Sequence, residues 1–222
     1  MKALKLLLSL LFALFVAIPG AALPQPSGKT RNTSPEEIKK LNIFLSNFSE
    51  VFMQPFTSRS LNDAQLIQFA VAHNYQNREK LFEKFPDGEK ARLKEKHVAE
   101  SARKYFGRNI TKHQSAGDYT YRNGYYYLTP SSGEMQQFSQ ASNVRHLGDD
   151  RYAVDVNVFA ASSGWVGSIT GTPATWKQGN DDVPELAYKM KATVAKKIDA
   201  NGKATYTLLE YVRNQSSDKD RK

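Results

Sequence analysis

One stretch constrains the fold more than any other: Asp118-Tyr119-Thr120-Tyr121-Arg122-Asn123-Gly124-Tyr125-Tyr126-Tyr127-Leu128. It gathers five tyrosines around an Asn-Gly pair. Asn-Gly accepts the two positive φ angles of a type I′ turn, so the alternating flanks predict a tight β-hairpin. Upstream of it apolar residues recur at helical spacing; downstream they alternate as in strands. The hairpin is therefore expected as the joint between two halves of one domain and as the first strands of its sheet.

Three helices are expected before it. Ser34-Pro35-Glu36-Glu37 carries an N-cap, a first-turn proline and the glutamate of a capping box. Ile38, Leu41, Leu45, Phe48 and Phe52 then form an apolar stripe, widened by Phe44 and Val51 and ended by Pro55. A stripe of this kind predicts burial in the concave side of a sheet. A second helix starts at Ser60-Leu61-Asn62-Asp63 and carries Leu66, Ile67, Phe69, Ala70 and Val71 to His73-Asn74. Its apolar residues lie on most sides, so it should be buried. The third is read from about Glu89 to Phe106, with Gly107 as its stop.

The second half reads as strands. Phe138 to Leu147 turns at Gly148-Asp149-Asp150 into a strand with Tyr152, Val154, Val156 and Val158 on one face. Leu186 to Val194 and Tyr206 to Tyr211 form another pair around Asp199-Ala200-Asn201-Gly202. Between the pairs, Ser162 to Asp182 lacks periodicity, is rich in glycine, and carries Trp165 and Trp176. Connections of about 20 residues without structure are uncommon and are often functional. The plainer expectation is a flap pinned by its tryptophans. Helices first and antiparallel strands after them predict an α+β fold, N-terminal helices packed on a curved antiparallel sheet. Cystatin-like and NTF2-like folds have this layout.

Met1-Lys2-Ala3-Leu4-Lys5, the apolar run Leu6 to Ile18 and Pro19-Gly20-Ala21-Ala22 read as a signal peptide cleaved after Ala22. The run is shorter than the roughly 20 residues that a membrane span needs. The expected plan is a signal peptide over 1–22, a flexible leader over 23–33, one α+β domain over 34–213 and a disordered tail over 214–222. Such a chain is exported, periplasmic or extracellular, with no stable membrane span after cleavage. It has no cysteine, which fits a bacterial exported protein better than a small disulfide-rich secreted domain. The formal charge of +9 includes Lys2 and Lys5, leaving a basic mature chain suited to anionic surfaces or simply to solubility. Basic residues are interspersed with acids along the chain, so nucleic acid is not the expected partner.

Chemistry-bearing motifs are few. His97 and Glu100 share a helix side, but no HExxH, HxxEH or cysteine pair accompanies them, so no metal or other cofactor is expected. No nucleophile elbow, phosphate loop or dinucleotide fingerprint occurs. An enzyme reading would pair one of His73, His97, His113 or His146 with Asp118, Asp149, Asp150 or Asp155, although no spacing forces such a contact. His73, near a helix C-terminus, reads more simply as a hydrogen-bonded structural histidine. Tyr125, Tyr127, Trp165 and Trp176 are the candidate ligand-binding residues, as stacking surfaces for a sugar ring or an aromatic ligand. The competing reading gives the tyrosines to strand packing. The leading expectation is a non-enzymatic binding or structural protein of the cell envelope, whose partner is a small molecule or envelope component. An NTF2-like enzyme and a protein–protein adaptor working through the Trp165/Trp176 loop are the alternatives.

The segments Leu41-Asn42-Ile43-Phe44-Leu45-Ser46-Asn47-Phe48-Ser49-Glu50, Leu66-Ile67-Gln68-Phe69-Ala70 with His73-Asn74, Lys104-Tyr105-Phe106-Gly107 and Asn123-Gly124-Tyr125-Tyr126-Tyr127 resemble an uncharacterised domain of exported bacterial proteins. The resemblance runs from about Ile38 to Val212. It implies an exported location and the extent of the domain, and carries no activity with it. The Ser162 to Asp182 segment is long for that pattern.

Overall fold

The computed structural model describes residues 33–85, 91–129, 135–162, 164–176 and 183–214. The expected signal peptide, nearly all of the leader and the tail beyond Asn214 lie outside them. Among the described residues no helix is long and apolar enough to cross a membrane.

The architecture is α+β: helices packed against two antiparallel sheets of four strands each. Helix α1 (Pro35–Ser49) starts as its sequence dictates, with Ser34 Oγ accepting from the Glu37 amide at 3.2 Å. Helix α2 (Asp63–Asn77) begins with a full capping box between Asn62 and Gln65, and extends past the expected stop at Asn74. A short 3₁₀ turn (Glu79–Leu81) leads to β1 (Glu83–Lys84) and, past 86–90, to β2 (Ala91–Lys94). Helix α3 occupies only Glu95–Phe106, closed by Gly107 at φ 63°. The third helix is thus shorter than expected: Ala91–Lys94, within its expected span, is a strand. Ala91 and Leu93 alternate with Arg92 and Lys94, and four residues are too few to separate the two periods by pattern alone.

The Asn-Gly hairpin forms as predicted. β3 (Thr120–Arg122) and β4 (Tyr125–Leu128) flank Asn123 and Gly124, at φ 51° and 78°. Its partners differ from the expectation. It joins β1 and β2 in a separate sheet of order β1-β2-β4-β3, where Leu93 pairs with Tyr126 and Arg92 with Tyr127. The main sheet has the order β5-β6-β7-β8, from β5 (Met135–Gly148), β6 (Arg151–Ser162), β7 (Glu185–Ile198) and β8 (Ala204–Arg213). The hairpin is a joint, as read, but it is not the start of this sheet. Register shifts near Ala141, His146, Val158 and Thr193 mark bulges, which bend and twist the strands.

Helix α1 lies against the main sheet and covers part of one edge of it. Its apolar stripe is fully buried at Leu41, Leu45 and Phe48, each contributing about 1.5–3 kcal/mol by burial. Phe48 meets Phe69 at 4.9 Å, Phe44 at 5.1 Å and Phe106 at 5.5 Å between ring centroids. Two buried polar residues on the same helix face the edge of β5. Asn42 Oδ1 accepts from the Ala141 amide at 2.8 Å, and Ser46 Oγ accepts from the Ser139 amide at 3.0 Å. Helix side chains thus complete a strand edge that would otherwise be open. On β8, Phe56 and Tyr211 exchange backbone hydrogen bonds of 2.7 and 2.9 Å.

The described part of the 162–182 segment, residues 164–176, folds onto the sheet. It holds one helical turn, α4 (Pro173–Trp176), and both indoles are buried, at 4% and 1% exposure. They pack with Phe138, Phe159 and Ala161 into a small core of their own. For the described residues, the burial of both tryptophans matches the plainer expectation.

Candidate functional site

The site begins where α1 ends. The Met53 amide donates to the Phe48 carbonyl at 2.9 Å and the Phe52 amide to the Ser49 carbonyl at 3.0 Å. This pairing is a Schellman motif, and its left-handed position normally takes glycine. Here Phe52 occupies it, at φ 54°, with its side chain about half in solvent (48%). The expected apolar stripe of α1 therefore stops at Phe48. Phe52 leaves the helix and stands as an exposed ring on a strained backbone.

A cleft of about 540 Å³ opens beside this ring. Glu50 and Phe52 form one side, Ala72, Tyr75, Gln76 and Asn77 of α2 another, and Gln136, Gln137 and Phe138 of β5 a third, with Tyr119 and Ile169 completing it. A smaller hollow of about 160 Å³ continues past Phe52 to Gln65, Gln68, Gly117 and Asp118, and shares Phe52, Ala72 and Tyr119 with the first. The lining of both combines aromatic rings, carboxamides and two carboxylates. Although the chain is strongly basic, no lysine or arginine is among the described residues that line either space.

Glu50 is held in place. His73 Nδ1 lies 3.0 Å from its Oε1, and Asn77 Nδ2 donates to the same oxygen at 2.6 Å. The imidazole is itself buried at 2% exposure, stacked on Phe69 at 5.4 Å and edge-on to Tyr105 at 4.5 Å. His73 is hydrogen-bonded as expected, but to a glutamate that pattern reading did not consider. The other histidines have different partners. His97 Nδ1 meets Glu100 at 3.1 Å, His113 Nδ1 meets the Tyr126 hydroxyl at 2.8 Å, and His146 Nδ1 accepts from the Gly148 amide at 3.1 Å. Among the described residues none bonds to Asp118, Asp149, Asp150 or Asp155, and no three metal-ligating side chains cluster.

The four aromatic residues singled out by sequence do not come together. Tyr125 and Tyr127 lie on the face of the small sheet opposite the buried Tyr126. The Arg92 guanidinium lies 4.4 Å over the Tyr125 ring, and that of Arg122 4.4 Å over Tyr127. A hydrogen bond from Arg92, and then one from Arg122, holds the Tyr127 phenol below its ordinary pKa. Trp165 and Trp176 are inside the flap core, where Trp176 Nε1 donates to the Ser168 carbonyl at 2.9 Å. They touch the cleft only indirectly: Phe138, which lines it, stacks on Trp165 at 5.1 Å and meets Trp176 edge-on at 5.3 Å.

Phe52, Glu50 and the β5 residues were missed for a reason. The end of α1 carries no glycine to mark a left-handed turn, so Phe52 reads as one more apolar residue in the stripe. The cleft is built from segments scattered between Ser46 and Ile169, and no local pattern connects them. No protein-family model matches the chain, and no curated protein and no solved structure matches it either.

Proposed function

We propose that this is an exported, non-enzymatic binding protein of the cell envelope that takes a neutral glycan in the cleft beside Phe52. The observation that carries the reading is the lining itself: among the described residues, an exposed ring, a row of carboxamides and two carboxylates, with no lysine or arginine. A sugar ring offers an apolar face to an aromatic side chain and hydroxyls to amides and carboxylates, whose partners must be satisfied once water leaves. An anionic ligand would meet the carboxylates of Glu50 and Asp118, with no lysine or arginine among the described lining residues to offset them. The exported location is supported by the basic, apolar and small-residue order of the first 22 residues.

A second reading has one observation in its favour. The buried His73 beside Glu50, at the wall of the cleft, has the form of an acid–base pair. One experiment addresses both. Calorimetric titration with neutral oligosaccharides (glucan, mannan, galactan and chitin fragments) is expected to give saturable binding with at least one series. The sugars should be recovered intact after prolonged incubation. Absence of binding to every series removes the glycan reading, and new reducing ends would replace it with the enzymatic one.

A further inference from the structure

Among the described residues the edge of β5 is only partly covered. Ser139 and Ala141 turn their amides away from β6 and toward α1, where Ser46 and Asn42 accept them. The β5–β6 register is continuous from Met135↔Ser162 to Ala141↔Val156. In an antiparallel pair, outward-facing main-chain groups recur at every second residue. Gln137 therefore presents both its N–H and its C=O on the same outer edge. Helix α1 ends at Ser49, so its covering side chains stop short of this position. Among the described residues no hydrogen bond from outside the sheet reaches the Gln137 main chain. Gln136, Gln137 and Phe138 instead line the cleft.

A donor and an acceptor side by side on a strand edge are complementary to one chemical group above others, a secondary amide. Its carbonyl accepts from the N–H while its own N–H donates to the C=O, as an adjacent strand would. We infer that the glycan taken by this cleft carries an acetamido substituent, paired with the Gln137 main chain. The methyl end of that substituent would meet the apolar side chains of Phe138 and Ile169. The inference rests on the glycan reading and gives it a substrate class: amino sugars bearing N-acetyl groups.

The test compares two probes that differ in this group. The full chain is titrated with chitotriose and with cellotriose, which share the sugar backbone while only the first carries acetamido groups. Two neutral hydrogen bonds correspond to a preference of about tenfold or more for chitotriose. Gln137→Pro removes the amide hydrogen at an edge position, where proline is tolerated. It is expected to bring chitotriose down to the affinity of cellotriose. Gln137→Ala removes the side chain and keeps the main-chain pair, and is expected to retain the preference. Equal affinity for the two sugars in the unmodified chain overturns the inference and leaves glycan binding standing. So does a preference lost in Gln137→Ala, which would place recognition in the side chain. Binding of neither sugar overturns the inference as well, and the glycan reading then stands or falls with the mannan and galactan series.

Discussion

At the scale of single residues, Phe52 is the most informative position. A bulky residue in the left-handed region costs about 1–2 kcal/mol that glycine would not incur. Burial would offset that cost, yet nearly half of this side chain faces solvent, at the rim shared by two hollows. Phe52→Gly is therefore expected to leave stability unchanged or to raise it by up to about 1 kcal/mol, after the greater unfolded-state entropy of glycine is deducted. The same change should weaken glycan binding about tenfold, the loss of one aromatic contact. Urea denaturation and calorimetry on one preparation separate the two effects. A variant destabilised by more than about 1 kcal/mol would show the ring to be structural. The sequence made Phe52 look ordinary because periodicity registers that a residue is apolar, not that the helix has ended before it. His73 was easier to read. Its place near the end of an apolar helix implied a hydrogen-bonded imidazole, and only its partner, Glu50, lay beyond local pattern.

Helices α1 and α2 and the strands downstream were legible as elements because their signals are local. Ser34 and Asn62 cap where capping residues precede apolar runs, and Asn123-Gly124 forms the predicted turn. What could not be read is how elements meet. Ala91–Lys94 passed for the start of a helix because its apolar residues fit both periods; it becomes a strand by pairing with Tyr125–Leu128. Likewise Asn42 and Ser46 look like polar interruptions in a helix until β5 is set beside them, 99 and 93 residues later. They predict a measurable cost. In Asn42→Ala the Ala141 amide loses its acceptor in a partly buried setting, which should destabilise the chain by about 1–3 kcal/mol. Amide exchange at Ala141 should accelerate while exchange at central β6 positions keeps pace only with global stability. Unchanged exchange at Ala141 would mean that water replaces the side chain at no cost, and that α1 does not protect this edge.

For the molecule as a whole, the helical half and the sheet half are tied together at points far apart in sequence. One tie has an acid-sensitive charge. Burial by itself would raise the pKa of Glu37 on α1, but hydrogen bonds from Lys196 and Tyr206 hold it below its ordinary 4.5. The contacts are 2.9 Å to Lys196 Nζ and 2.7 Å to the Tyr206 hydroxyl, linking α1 to β7 and β8. Because the folded pKa is the lower one, this carboxylate contributes its full stability above about pH 4.5, and the contribution disappears as pH falls through the folded value. Denaturation curves taken from about pH 6 down to about pH 3 should therefore show a steeper loss of stability in the native chain than in Glu37→Gln. Equal slopes would assign the acid response to other carboxylates, such as Asp63, which burial would raise but which Thr111 and Lys112 likewise hold low.

The flap core has a consequence of an optical kind. The chain contains two tryptophans, and both belong to the cluster built around Phe138. All indole emission from this protein therefore originates one ring away from the cleft. Anything that displaces Phe138 alters the surroundings of both fluorophores together, without a label and without background from elsewhere in the fold. The tryptophans that looked like the binding surface are placed instead to report on it.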